Sequence, residues 1–312
     1  MSLRAVQYHR FAAYGVAPQG DHRGDREGDT VSAEVLAEPV VQIFGPHDAQ
    51  RPAVVPYAKE LWGRRRFLVT LSKTRLKAAR NNTFAGQLWA ILDPVLQAGV
   101  YFLLIGILRG GAGSSTDRLV LLVGQVFLFN YTAGAINYGA RSVSSGANLL
   151  LNARFPRALL PFAAVYRAWL EMVPSLGLYA ILHVLTGQPI GPGVVLLPLM
   201  LVMQTVLGLG FALLLSTATV FVRDITNMLG YVIRIMLFSA PIIYPSSALT
   251  PTMKQIVFFN PLYSLHASYE AILTGSTPEG SLLLMCAAWS IGLFSLGVYV
   301  FLSKERLFAL EL

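Results

Sequence analysis

The chain has 312 residues, of which 54% are hydrophobic and only 13% charged, with a net charge of +8. Ordinary soluble domains carry roughly 25% charged residues, so this composition excludes one. The basic residues crowd the first 80 positions and a few loops, a membrane-surface pattern rather than a nucleic-acid-binding one. The single cysteine, Cys286 in an apolar run, excludes an internal disulfide and a cysteine-based metal cluster.

Residues 1–50 mix charges and glycines without an apolar period and are expected to be an unstructured cytoplasmic tail; His9, His22 and His47 have no ligand-like spacing. No apolar h-region occurs there, so no secretory signal peptide is expected. Residues 51–84 read differently. Leu61, Phe67, Leu68, Leu71 and Leu76 recur at near-helical spacing over 57–80, and nine Lys/Arg fall between positions 51 and 80. This pattern predicts a basic amphipathic helix lying in the headgroup plane on anionic lipid, the alternative being a juxtamembrane segment that only sets orientation.

Residues 85–312 form the membrane part. Six spans are expected, near 91–108, 119–138, 159–185, 194–222, 228–243 and 281–302. The fourth is the clearest: Val194–Val222 runs 29 residues without a charge. As a helix it reaches roughly 43 Å, against a hydrocarbon core of about 30 Å. The Lys/Arg excess falls on the N-terminal segment, the 2–3 and 4–5 connections and the C-terminus, which puts both termini inside. Between spans 5 and 6, the apolar stretch Gln255–Leu273 is interrupted by Asn260-Pro261. Two re-entrant half-helices on the outer side are expected there, a geometry tolerated only against protein or a water-filled cavity. The fold class is therefore an all-α integral membrane protein.

No phosphate-binding loop, dinucleotide glycine fingerprint or HExxH motif is visible. The intramembrane ionisable residues are Arg167, Glu171, His183, Arg234 and Glu270, costly in lipid and therefore candidates. Arg167 and Glu171 lie four apart and share a helical face, so they can neutralise each other. Arg234 is placed to snorkel toward the side of Arg223, and Arg223-Asp224 reads as a local ion pair fixing the turn between spans 4 and 5. A proton relay would need several carboxylates in line, and only Glu171 and Glu270 are present. Between spans 2 and 3, residues 144–161 form a short amphipathic piece that can present Leu149, Leu150 and Phe155 to a groove on a soluble partner; a plain loop helix is the alternative.

The chain resembles the membrane subunits of ABC-2 type exporters of lipid-linked polysaccharides, the O-antigen and teichoic acid export permeases. The resemblance covers about 57–312. It rests on Gly86-Gln87-Leu88-Trp89-Ala90-Ile91-Leu92-Asp93-Pro94, on Asn148-Leu149-Leu150 with Phe155-Pro156-Arg157 and Leu160-Pro161, and on Phe221-Val222-Arg223-Asp224-Ile225. Ser239-Ala240-Pro241-Ile242-Ile243-Tyr244 and Asn260-Pro261-Leu262 complete it. The Gly-, Ala- and Arg-rich sequence with its long polar tail is similar to actinobacterial members that export galactan.

The resemblance implies a homodimeric channel in the plasma membrane with two copies of a separate ATPase docked below. ATP and Mg²⁺ would then sit on the partner and no cofactor on this chain, which would be a permease rather than an enzyme. It further implies that Asn148, Leu149, Leu150, Arg154, Phe155 and Arg157 belong to a helix coupling to the ATPase. Segment 57–80 would be the interface helix, and 245–280 the outer gate. Aromatic rings suit sugar faces, so Tyr101, Phe102, Phe127, Phe129, Tyr131, Tyr138, Tyr231, Phe238 and Tyr244 are the expected channel-lining residues. The rivals are a secondary transporter working alone, which finds no visible inverted repeat, and a membrane enzyme acting on polyprenyl-linked sugar, for which only Asp93 and Asp224 lie near the inner face.

Overall fold

The computed structural model describes residues 53–80, 88–108, 116–153, 155–246, 249–250, 252–253, 257 and 259–311. The tail 1–50, Arg154 and most of the first expected half-helix lie outside them. The described residues form helices and contain no strand: α1 Val54–Gly63, α2 Arg65–Arg80, α3 Trp89–Leu108, α4 Thr116–Ala140, α5 Ala147–Asn152, α6 Leu159–Leu185, α7 Leu197–Phe221, α8 Ile225–Ser239, α9 Pro261–Leu273, α10 Gly280–Lys304 and α11 Phe308–Glu311.

Among the described residues, four helices are long and apolar enough to cross a membrane: α4, α6, α7 with its leading 3₁₀ turn from Pro192, and α10 with the turn that follows it. α3 and α8 are apolar over shorter stretches, Ile91–Leu103 and Ile225–Ser239. The fifth expected span is thus corrected. Its helix ends at Ser239 because Pro241 follows, and the residue before a proline is driven out of the helical region; Ala240 accordingly has φ −94° and ψ 151°. Its 15 residues give only about 22 Å of helix, short of the core thickness. The single interface helix expected over 57–80 is also corrected to two, α1 and α2, because the chain turns at Arg64 (φ −95°, ψ 16°) just after Gly63.

The second half-helix is α9, and its start is written in the sequence. The Asn260 side chain accepts from Leu262 N at 2.9 Å and Pro261 occupies the first helical position. Asn260 Nδ2 also donates to Ser239 Oγ at 2.8 Å, tying the start of α9 to the end of α8.

α4 lies at the centre, packed against α3, α6, α7, α8 and α9. Two close approaches depend on glycine. A Cβ at Gly139 of α4 would run into Ala212 of α7, and one at Gly210 of α7 would lie 2.7 Å from the Leu293 carbonyl carbon of α10. Small residues at such crossings let backbones approach, which is how helices associate where no water drives them together. Several polar side chains in the core bond across helices: Gln204 Nε2 donates to Leu128 O (2.7 Å) and Thr132 Oγ1 (2.9 Å), Tyr269 Oη to Gln204 Oε1 (2.7 Å), and Gln125 Nε2 to His266 O (2.9 Å). They clamp α9 onto α4 and α7.

Candidate functional site

The end of the bundle bearing α1, α2, α5 and the C-terminus is called basal here, and the end bearing the α6–α7 loop apical. A groove of about 480 Å³ opens between α3, α4 and α6 in the basal half. Its wall carries a polar ladder. Asn130 Nδ2 donates to Gln97 Oε1 at 3.0 Å, and Gln97 Nε2 to Tyr101 Oη at 2.9 Å. Arg167 Nε pairs with Glu171 Oε1 at 3.2 Å, as the i, i+4 spacing implies, while its guanidinium lies 4.0 Å from the ring centroid of Tyr138. Tyr138 Oη in turn donates to Glu171 Oε2 at 2.8 Å. The charge is therefore neutralised at the groove wall, with an aromatic face beside it.

The nine expected aromatic residues do not share one surface. Phe127, Tyr131 and Tyr138 line this groove, although Tyr131 is buried and spends its hydroxyl on Thr205 Oγ1 at 2.9 Å. Tyr101 and Phe102 are half-buried beside it. Phe129 is buried on another side of α4, with its ring 6.1 Å from His266. Tyr231 and Phe238 stand on the outward face of α8, 71% and 51% exposed. Together with exposed Arg234 and Ile235 they line a shallow depression of about 450 Å³. This stripe was not apparent from composition; the signal was the 231, 234/235, 238 spacing on one helical face.

At the apical end a vestibule of about 460 Å³ is lined by Asp117, Gln125, Gln188, Tyr244 and Glu270 among others. Gln188 Nε2 donates to Asp117 Oδ1 at 2.6 Å, and the Glu270 carboxylate accepts from Ser246 N at 3.0 Å, holding the turn after α8 against α9. Tyr244 Oη donates to Phe238 O at 3.1 Å.

The basal face holds the segment expected to couple to a partner. α5 spans only Ala147–Asn152. Asn148 is exposed and Leu149 half-buried, whereas Leu150 packs into the basal core cluster with Phe301 and Phe308. Phe155 is half-buried with its ring 5.8 Å from Phe67 of α2. Arg157 is drawn inward: its backbone N–H donates to Glu305 Oε1 at 3.0 Å and its guanidinium to Glu305 O. Tyr57 of α1 completes the joint, donating to Glu305 Oε1 (2.9 Å) and accepting from Ala158 N (3.0 Å). Burial and the neighbouring Glu305 carboxylate push the Tyr57 phenol well above its ordinary range. No local pattern announces this joint, which links residues 248 positions apart. α2 is likewise locked to the bundle by Ser72 Oγ, which donates to Ala163 O at 2.8 Å. Arg223 and Asp224 do not form the expected ion pair; the turn closes instead through Thr226 Oγ1 to Arg223 O (2.9 Å) and Asn227 N to Asp224 O (3.0 Å).

Residues 66–274 match the family described as ABC-2 type transporter. The chain belongs to that family. This ABC-2 chain is a multi-pass membrane protein, and the matched segment runs from α2 through α9, so it contains the groove, the α8 stripe and the segment 148–157. Two curated relatives, both O-antigen export system permease protein RfbA of Klebsiella pneumoniae, are similar to it. One is 23% identical over 67% of this chain and 81% of its own length, the other 25% identical over 66% and 79%.

Proposed function

We propose that this ABC-2 chain is the membrane subunit of an ATP-driven exporter that moves a lipid-linked cell-envelope polysaccharide, polyprenyl-diphosphate-linked galactan or a similar glycan, from the cytoplasmic to the outer side of the plasma membrane. The observation that carries this reading is the match to the ABC-2 family over most of the membrane part, together with relatives named for O-antigen export. Two features of the fold support it. The groove between α3, α4 and α6 offers amides, a hydroxyl and an aromatic face, the groups that hydrogen-bond sugar hydroxyls and stack on their C–H faces. The exposed α8 stripe adds Tyr231 and Phe238 on a face free to meet a second copy or a channel lumen.

In this reading two copies form the channel and two ATPase subunits dock on the basal, cytoplasmic face around 148–157. ATP and Mg²⁺ reside on those subunits; both termini are cytoplasmic, membrane lipids surround the spans, and no nucleic acid is involved. Hydrolysis moves α5, and the Glu305 joint passes that motion to α1, α6 and α10.

The test is co-purification. The tagged chain, solubilised from its native membrane in mild detergent, should bring down an ATPase subunit in roughly equal amount, identified by mass spectrometry. A chain that purifies alone in good yield would shift the assignment to a secondary transporter or a membrane enzyme.

A further inference from the structure

We propose that an anionic membrane phospholipid binds between α1 and α10, with one acyl chain in an apolar slot and its phosphate in the basic recess beside Tyr57. The slot, about 600 Å³, lies between α1, the start of α6, α7 and the last turns of α10. Leu61, Phe162, Leu213, Phe294, Val298 and Leu302 line it. Its volume falls in the range of ligand sites and its lining is apolar, as such sites require. Because Leu302 is followed by Lys304 and Arg306, the slot sits at the depth of acyl chains, directly above a charged band.

Tyr57 lines this slot and also a second, polar recess of about 340 Å³ that includes Arg64, Arg157 and Arg306 with Glu60 and Glu305. Three guanidinium groups face two carboxylates there, with Glu60 paired to Arg64 at 3.5 Å and one oxygen of Glu305, Oε1, accepting from Tyr57 and the Arg157 amide. The recess thus keeps a positive excess, the complement of a lipid phosphate. A neutral lipid satisfies the slot but not the recess; a soluble anion satisfies the recess but not the slot. An anionic phospholipid satisfies both, and basic segments at the inner surface attract such lipids.

The site also answers a structural need. α1 buries none of its residues, and its polar link to the bundle runs through the Tyr57 hydroxyl. Tyr57 and Leu61 reach the basal apolar cluster only partly buried, and a lipid chain between Leu61 and Val298 would extend that packing. α1 and α10 lie outside the segment matched to the family, whereas Arg157, Phe162 and Leu213 lie inside it.

Native mass spectrometry of the full chain, loaded in turn with phosphatidylglycerol and phosphatidylcholine of the same acyl composition, tests this. One phosphatidylglycerol should be retained at least about tenfold more readily than phosphatidylcholine. Val298→Trp, which fills the slot, and Arg64→Glu, which reverses the rim, should each abolish that preference. Ser295→Trp, also in the slot, serves as a second filling variant should Val298→Trp fail to fold. Equal retention of the two lipids, or a preference unchanged in a folded slot-filling variant, overturns the proposal. Displacement of the bound phosphatidylglycerol by equimolar polyprenyl diphosphate also overturns it, since the site would then belong to the transported lipid end. None of these readouts depends on an ATPase or on transport, so failure here is distinguishable from failure of the export assignment.

Discussion

Glu305 has the most consequential position of any single side chain on the basal face. One carboxylate oxygen receives both the Tyr57 hydroxyl and the Arg157 amide, and the residue is only 9% exposed. Losing a buried hydrogen-bond acceptor leaves its donors unpaired, at a cost of about 1–3 kcal/mol each. Glu305→Ala is therefore expected to lower the melting temperature of the solubilised chain by several degrees. Tyr57→Phe, which leaves the Arg157 bond in place, should cost less. Circular dichroism or a thiol-independent thermal shift measurement checks the order; equal melting temperatures for all three chains would mean that the joint contributes nothing.

The elements were legible in the sequence to the extent that their determinants are local. α6 begins and ends where the apolar run does, at Leu159 and Leu185. The start of α9 follows from Asn260-Pro261, and the Arg167–Glu171 pair from its four-residue spacing. Failures came where long-range packing or a short-range stop decided the outcome. Pro241 cut the fifth span short although hydrophobicity continues through Ile242 and Ile243. The break at Arg64 divided the interface segment although its amphipathic period runs through. Among the aromatic residues, ring chemistry alone grouped Tyr231, Phe238 and Phe129 as channel-lining, and could not tell that the first two stand on an open face while Phe129 points into the core against His266. The Tyr57–Glu305–Arg157 joint connects three separate segments, and nothing adjacent to any of them announces it.

Gly210→Ile places a branched side chain where even a Cβ would be 2.7 Å from the backbone of α10. Backbone cannot yield as a flexible side chain does, so overpacking here exceeds the usual 1–3 kcal/mol of a crowded core; little folded chain should survive size-exclusion chromatography in mild detergent. Phe155→Asp acts elsewhere. Its ring meets only the partly exposed Phe67 among the described aromatic residues, so folding should persist while ATPase association, read by the pull-down, drops at least tenfold. Retained association would remove Phe155 from the coupling surface.

For the whole molecule, the distribution of charge decides which way the bundle faces. The basal end carries Lys59, Arg64, Arg141, Arg157, Arg223, Lys304 and Arg306, whereas Arg118 is the base lining the apical vestibule. Lys and Arg near span ends are retained on the cytoplasmic side, so in the proposed orientation the basal face, with the segment 148–157, points to the cytosol. Cys286 is buried and serves as an internal blank. Against that background, Asn227→Cys tests the exposed first turn of α8 at the basal end, and Ile190→Cys the exposed apical loop, where Ile190 is 67% exposed. A membrane-impermeant maleimide applied to intact cells should label the chain carrying Cys at 190 and leave the one carrying it at 227 unreacted; inverted vesicles should reverse the result. Labelling of position 227 from outside would turn the bundle over. It would place the segment 148–157 on the side without ATP and so undo the export direction together with the topology.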